Sequence, residues 1–104
     1  MDSIENEHIV KLKNKRYIFM VSDNTGKTCN RVVRVALRQF KKADAILETI
    51  PDVRTEDQIH SIMNRAAEVN GIIIYTLATP AARQLMSELS RLKGVPTLEI
   101  FGPV

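Results

Sequence analysis

The sequence predicts an α/β domain in which three helices flank a four-stranded parallel sheet. Apolar runs typical of buried strands alternate along the chain with segments whose apolar residues recur at helical spacing. Polar residues, Gly and Pro separate these segments, so the order is strand-helix-strand-helix-strand-helix-strand. Because crossovers between parallel strands are right-handed, we expect the strand order 2-1-3-4, with the reversal between strands 1 and 3.

The four strands follow the apolar runs. They are expected at residues 17–22, 44–50, 71–77 and 95–101, and the third run, GIIIYTL, is the clearest. Glu48 and Thr49 interrupt strand 2, which we therefore place at an edge of the sheet. The topology is Rossmann- or flavodoxin-like, with helix 1 on one face and helices 2 and 3 on the other. One helix leaves its face incompletely covered, and we expect apolar surface near strands 3 and 4.

The three helices have apolar stripes and local end signals. Their expected bounds are residues 28–41, 55–70 and 79–93. Thr55 and Gln58 form a capping box, Thr79 caps helix 3, and Gly71 is expected to end helix 2 in a left-handed conformation. The residues expected to face the core are Cys29, Val32, Val33, Ala36, Leu37, Phe40, Ile59, Ile62, Met63, Ala66, Ala82, Leu85, Met86, Leu89 and Leu92.

Length and composition predict a single domain over residues 16–104, after a loosely ordered lead-in at residues 1–15. One cysteine excludes a disulfide framework and favours a reducing cytoplasm. No apolar run approaches the ~18 residues of a membrane span, and the lead-in lacks the apolar core of a signal peptide. We therefore expect a cytoplasmic protein without a membrane or metal partner. Cys29 is either a packing thiol or a reactive thiol at a helix N-terminus.

The candidate site is the loop SDNTGKT at residues 22–28, between strand 1 and helix 1. Ligands bind at this end of parallel strands, and a helix N-terminus presents backbone N–H groups to anions. A Walker A motif would need glycine at Val21, so the loop is not a P-loop. An anion-binding loop and a capped turn both remain possible. The residues that would bind an anion are Ser22, Asp23, Thr25, Gly26, Lys27 and Thr28, and no catalytic residue can be assigned.

Two residues beyond the loop are expected at the same rim. Arg54 follows strand 2 and Thr76 ends strand 3, and the loops at residues 22–27 and 76–80 should meet there. Arg54 could clamp a phosphate or carboxylate through two hydrogen bonds, or it could be a solvated loop residue.

Helix 1 also carries a basic stripe formed by Arg31, Arg34, Arg38 and Lys41. Such a stripe could contact nucleic acid or simply lie in solvent. No aromatic side chain interleaves it, so no stacking platform is available and we expect no nucleic-acid partner.

The first loop and the helix after it resemble the regulatory proteins of pyruvate, phosphate dikinase and phosphoenolpyruvate synthase. The matching residues are Ser22, Asp23, Thr25, Gly26 and Thr28, followed by Gln39-Phe40. The resemblance continues in order through residues 53–58, 74–77, 94–96 and 102–103, and covers about residues 16–104. Lys27 and Cys29 depart from the family, which often has a non-basic residue and alanine at these places.

The resemblance implies a bifunctional serine/threonine kinase and phosphorylase. Such proteins use ADP to phosphorylate a threonine of the dikinase or synthase, and remove that phosphate with inorganic phosphate, releasing pyrophosphate. The family's P-loop lies in a C-terminal part, so the resemblance implies an N-terminal domain that is inactive alone and holds no cofactor itself.

ADP, ATP and phosphate are implied for full-length members, with the dikinase or synthase as target. A C-terminal P-loop domain or a second copy would cover the open sheet face. The alternative is a non-catalytic module that binds an anion or the target enzyme.

Overall fold

The computed structural model describes residues 16–38 and 45–100. Its elements are β1 (Arg16–Ser22), α1 (Lys27–Arg38), β2 (Ala45–Ile50), α2 (Glu56–Glu68), β3 (Ile72–Thr76), α3 (Pro80–Lys93) and β4 (Thr97–Glu99). The strands pair in parallel in the order β2-β1-β3-β4, with β2 at an edge. The predicted fold class, strand order and edge strand are therefore confirmed. The predicted lead-in, Phe40, Lys41 and Phe101 lie outside the described residues. The observed β4 is shorter than the predicted strand at residues 95–101, since Val95, Pro96 and Ile100 are not part of it.

β1 is one of the two internal strands of the sheet, with β3. Met20 lies opposite Thr49 of β2 on one side and Ile74 of β3 on the other. Phe19, Met20 and Val21 are almost completely buried. A parallel strand that is paired on both edges and covered on both faces has this continuous apolar sequence. β1 thus carries the first loop to the sheet edge on a rigid support.

In the described part of the chain, the larger of two hydrophobic cores lies between the sheet and the helices α2 and α3. It contains Phe19, Val21, Ile73 and Tyr75 from the strands, and buried residues of both helices such as Met63 and Met86. The smaller core lies beneath α1 on the opposite face. Among the helices of residues 16–38 and 45–100, α1 is thus the one that covers this face, as predicted.

Cys29 belongs to the smaller core, with Ile18, Met20 and Val33. Its side chain is fully buried, and its Sγ lies 3.5 Å from the Ile74 carbonyl oxygen, to which the thiol donates. Burial raises the pKa of the Cys29 thiol to about 11. The thiol is therefore protonated at neutral pH, which favours the packing role over the reactive one.

The described residues leave the face beneath α1 incompletely covered near β4, as expected. Leu98, which lies on this face opposite Ile74, is 58% exposed, and Val32 of α1 is 42% exposed. Val32 and Ala36 were expected in the core, and that expectation is wrong. The helix touches the sheet through Cys29, Val33 and Leu37 instead, a narrower stripe that leaves Val32 and Ala36 on its flank.

Leu92 was also expected in the core but is 76% exposed. Met86 and Leu89 of α3 face the core and are buried. At 100° per residue, Leu92 lies on the same flank as the half-buried Leu85, in the last turn of the helix. The apolar stripe of α3 therefore ends at Leu89.

The caps follow the local sequence signals with one exception. The Thr55 hydroxyl accepts a hydrogen bond from the Gln58 amide and the Gln58 side chain accepts one from the Thr55 amide, which confirms the capping box. Thr79 caps α3. The left-handed residue after α2 is Asn70 (φ 57°) and not Gly71, so the expectation for Gly71 is wrong; asparagine is one of the few other residues that tolerate this conformation. Gly71 is required for space, since a Cβ there would lie 2.8 Å from Cε2 of Phe19.

An ion pair between β2 and α2 predicts a pH dependence of stability. Arg65 donates two hydrogen bonds to the Glu48 carboxylate, at 2.7 and 2.8 Å. The hydrogen bond from Arg65 lowers the pKa of Glu48 below its usual value of 4.5. Because the pKa of Glu48 is lower in the folded state, the ion pair contributes fully to the free energy of unfolding above the unfolded-state pKa. This contribution is lost as the pH falls through the folded-state pKa.

Because both side chains are about half exposed, we expect the loss to be only about 0.5 kcal/mol. Urea unfolding at neutral pH and near pH 3 measures it. The Glu48→Gln variant is the control, since it cannot titrate at this position. Wild type should lose more stability than the variant between the two pH values, and equal losses would contradict the prediction.

None of the helices in residues 16–38 and 45–100 combines the length and the hydropathy that crossing a membrane requires.

Candidate functional site

A polar pocket of about 390 Å³ lies at the carboxyl ends of β1 and β3. The two loops that were expected to share a rim meet there. The Ala78 amide donates to Oδ2 of Asp23 at 2.7 Å, and the Asp23 amide donates to the Thr76 carbonyl at 3.4 Å. The pocket is lined by Ser22, Asp23, Asn24, Thr25, Gly26, Lys27, Thr28, Thr76, Leu77, Ala78, Arg83 and Ile100.

The start of the loop is fixed by hydrogen bonds to the segment that follows β2. Ser22 is buried and its hydroxyl accepts a hydrogen bond from the Asn24 amide at 3.0 Å. The Val53 amide donates to the Ser22 carbonyl and the Asp52 amide donates to the Asn24 carbonyl, each at 2.9 Å. The loop therefore has a defined conformation before any ligand arrives.

Gly26 forms the transition from the loop into α1. It has a positive φ of 78°, and its carbonyl accepts a hydrogen bond from the Asn30 amide. A Cβ at this position would lie 2.8 Å from Cγ2 of Thr49 on β2. Glycine is thus required both by the left-handed backbone and by the close approach to the edge strand.

Thr25 and Lys27 stand at the exposed mouth of the pocket. The Thr25 hydroxyl accepts a long hydrogen bond, 3.4 Å, from the Lys27 amide, so part of the capped-turn interpretation holds. Asp23 does not cap α1, because its carboxylate oxygen accepts from Ala78 across the rim. The amides of Thr28 and Cys29 lie in the first turn of α1, where a helix supplies no acceptor for N–H groups.

The pocket is also lined by a cationic side chain, that of Arg83, which was not among the predicted site residues. Arg83 lines it from the first turn of α3, and its Nε lies 3.5 Å from Oε1 of Glu99 in β4. The two groups form an ion pair but not a hydrogen bond. The buried Oε1 of Glu99 therefore has no hydrogen-bond donor among the described residues. In the sequence, the feature that could have indicated Arg83 is its position one turn into a helix that begins at the rim.

Arg54 is not brought into the pocket. Its guanidinium is exposed and lies 3.9 Å from the Asp52 carboxylate, while its amide donates to the Gln58 side chain at 2.6 Å. Thr76, the other predicted residue beyond the loop, does line the pocket. Within residues 16–38 and 45–100, no three His, Cys, Asp or Glu side chains are grouped as metal ligands would be.

Fold and pocket together define an open α/β domain with a preformed polar pocket where the strand order reverses, the usual place for a ligand in such sheets. Sequence comparison gives the family. The chain belongs to the kinase/pyrophosphorylase family, whose sequence model matches residues 18–104. The family expected from the resemblance is therefore confirmed.

Several curated proteins named as pyruvate, phosphate dikinase regulatory proteins are similar to this chain. One from Chloroflexus aurantiacus is 37% identical over 87 residues, which are 84% of this chain and 31% of the relative. One from Bdellovibrio bacteriovorus is 33% identical over 92 residues, 88% of this chain and 33% of the relative. A Listeria monocytogenes protein is 32% identical over 87 residues, 84% of this chain and 32% of the relative. The chain thus spans about a third of the length of these relatives.

Proposed function

We propose that this chain provides the phosphate-binding rim of a regulatory protein kinase and pyrophosphorylase. The whole protein would use ADP to phosphorylate a threonine of pyruvate, phosphate dikinase or of phosphoenolpyruvate synthase. It would also remove that phosphate with inorganic phosphate. Family membership and the names of the relatives support this proposal. The single observation that carries the role of this chain is the preformed pocket at the start of α1.

The pocket has the chemistry that a phosphate group needs. The first-turn amides of α1 point out of the helix at its positive end, and hydroxyls of Thr25 and Thr28 stand beside them. Lys27 adds a positive charge. Asp23 opposes an anion, but its Oδ2 already accepts a hydrogen bond from the Ala78 amide, which offsets part of its charge. Positioned donors and cations of this kind stabilise the charge that develops during phosphoryl transfer.

We assign ADP and ATP to the remainder of a full-length member, because the first loop lacks the P-loop glycine. By this proposal the 104 residues bind phosphate and do not transfer it by themselves. The incompletely covered face near Val32 and Leu98 would be covered by a P-loop-bearing domain or by a second copy. The proposed setting is the cytoplasm, where the buried Cys29 stays reduced.

Isothermal titration with phosphate, pyrophosphate, ADP and ATP tests the proposal. We expect saturable binding of phosphate or pyrophosphate by the 104-residue chain. Changing both Thr25 and Lys27 to alanine should weaken that binding by about tenfold, since about 1.4 kcal/mol is expected from one hydrogen bond and one charge.

The matched control is Lys93→Ala, which removes the same charge at the opposite end of α3 from the rim. It should leave the affinity within about twofold of wild type. Equal binding by wild type and the double variant would refute the rim as the site. An absence of binding by wild type would place phosphate handling elsewhere in the full-length protein.

A further inference from the structure

A second concave surface lies on the other side of the first loop, between α1 and the edge strand β2. It has a volume of about 490 Å³. Its lining residues are Thr25, Gly26, Lys27, Asn30, Arg31, Arg34, Val35, Arg38 and Thr49. We call this surface the basic groove, because four of these side chains are cationic and none is acidic.

The four cations of the basic groove form one straight row. Lys27, Arg31, Arg34 and Arg38 occupy positions i, i+4, i+7 and i+11 of α1, which places them on one helix face over roughly 16 Å. None of them forms a salt bridge within residues 16–38 and 45–100, whereas Arg65 is paired with a carboxylate. The cationic row is therefore not neutralised by the described part of its own chain.

This arrangement works against the stability of the helix. Like charges three and four residues apart on a helix repel one another. Lys27 also lies at the positive end of the helix dipole, where acidic residues are favourable, and the first turn of α1 has none. A ligand with several negative charges at similar spacing would relieve both effects, which indicates that the row serves a partner.

One arginine of the row is held in place by a chain of hydrogen bonds. The side-chain amide nitrogen Nδ2 of Asn30 donates to the Thr49 hydroxyl at 2.9 Å, and Nε of Arg34 donates to Oδ1 of Asn30 at 2.6 Å. This connection orients the Arg34 guanidinium from the edge strand. The Nη groups, which form the end that binds carboxylates through two hydrogen bonds, are not used by this connection.

The other contacts of the groove favour a protein segment over a nucleic acid. Val35, which is 50% exposed, adds an apolar contact in the middle of the row. None of the described residues that line the groove is aromatic, so these residues offer bases no surface on which to stack. Carboxylates on successive turns of a helix, or on alternate residues of an extended segment, match the spacing of the cations.

We propose that the basic groove docks an acidic segment of the protein substrate, an inference that rests on the proposed function because it supposes a protein target. Thr25, Gly26 and Lys27 line both the groove and the phosphate pocket. A segment docked along α1 therefore approaches the loop at which phosphate is proposed to bind. The groove supplies affinity and orientation for the target, and the pocket receives the phosphate.

Fluorescence anisotropy with fluorescein-labelled deca-glutamate tests the groove on the 104-residue chain. We expect saturable binding that weakens as salt rises from about 50 to about 200 mM. Changing Arg31 and Arg34 together to glutamine should weaken it by about tenfold. The matched control changes Arg91 and Lys93 to glutamine, which removes the same charge from the exposed end of α3, and should alter the affinity by less than about twofold.

Equal loss in the two double variants would show a net-charge effect and overturn the proposal. Labelled deca-uridylate that binds more tightly than deca-glutamate would overturn it in favour of nucleic acid, and an absence of saturable deca-glutamate binding would overturn it outright. Circular dichroism checks that the groove variant keeps its helices. If it does not, Arg31→Gln alone is compared with Arg91→Gln.

Phosphate titration of the same groove variant separates the two proposals, because Lys27 is left unchanged. Unaltered phosphate affinity together with lost deca-glutamate binding is the expected result. A chain that binds deca-glutamate through the groove but never binds phosphate refutes the rim and leaves the groove intact. A chain that binds phosphate at the rim but not deca-glutamate refutes only the groove.

Discussion

Replacing Gly26 by alanine is expected to destabilise the protein by about 2–3 kcal/mol and to weaken phosphate binding at the pocket by tenfold or more. The left-handed backbone at φ 78° costs about 1–2 kcal/mol for a residue with a Cβ. The new methyl group would also lie 2.8 Å from Cγ2 of Thr49. Thr49 cannot rotate away without losing the hydrogen bond from Asn30, which contributes about 1 kcal/mol. Urea unfolding and phosphate titration measure the two effects.

Gly94→Ala is the matched control. Gly94 also has a positive φ, 67°, but no atom of the described residues lies within 4 Å of the position of its Cβ. This variant should therefore show only the backbone cost of about 1–2 kcal/mol and leave phosphate binding unchanged. Thr49→Ser removes Cγ2 and keeps the hydroxyl, so it should recover part of the stability that Gly26→Ala loses. Equal costs at Gly26 and Gly94, with no recovery by Thr49→Ser, would contradict the steric argument.

The parts of the fold that sequence predicts well are those decided by neighbours in the chain. The capping box of Thr55 and Gln58 and the cap at Thr79 depend on residues within one turn of each other. The uninterrupted apolar run of β1 is itself the mark of a strand covered on both faces. Once four strands alternate with three helices, handedness leaves few arrangements of the sheet, and the predicted one is observed.

The wrong predictions concern residues whose burial or conformation depends on which other elements pack against their helix. Val32 and Leu92 continue apolar stripes in sequence, but each lies on a flank of its helix beyond the contact with the sheet. Asn70 and Gly71 are both able to end a helix. Asn70 takes the left-handed conformation, and Gly71 is instead required because the Phe19 ring occupies the space that its Cβ would fill. These outcomes depend on tertiary contacts that no local pattern contains.

The candidate site shows the same division. The meeting of the first loop with the loop after β3 follows from parallel strands that end at one edge, and the bond between Asp23 and Ala78 fits that expectation. Arg83 was not predicted as a site residue, because it lies in α3, beyond the rim loop predicted at residues 76–80, and still lines the pocket. Arg54 was expected at the rim by the same strand-end argument, but its amide is tied to Gln58 at the start of α2 and its side chain turns towards Asp52.

Phe19→Ala is expected to be the most destabilising single substitution, with a loss of about 3–5 kcal/mol. The side chain is 1% exposed and belongs to the larger core. Its ring lies 6.3 Å from that of Tyr17, and the Arg65 guanidinium stands 5.2 Å from its centre. Because domains of this size are stable by only about 5–15 kcal/mol, the variant should be close to unfolding. Thermal unfolding followed by circular dichroism should show a fall in Tm of at least ~12 °C.

Two further variants separate the reasons for that loss. Phe19→Leu keeps an apolar side chain in the core but removes the ring beneath Arg65, a cation–π contact of about 0.5–1 kcal/mol, so it should cost far less than alanine. Leu92→Ala removes a leucine of comparable hydropathy that is exposed, and should change stability by less than about 0.5 kcal/mol. A large loss at Leu92 would mean that the sequence-based stripe of α3 was right and that this residue is covered in solution. A small loss at Phe19 would mean that β1 is not the centre of the core, and the loop that β1 positions would then lack its rigid support.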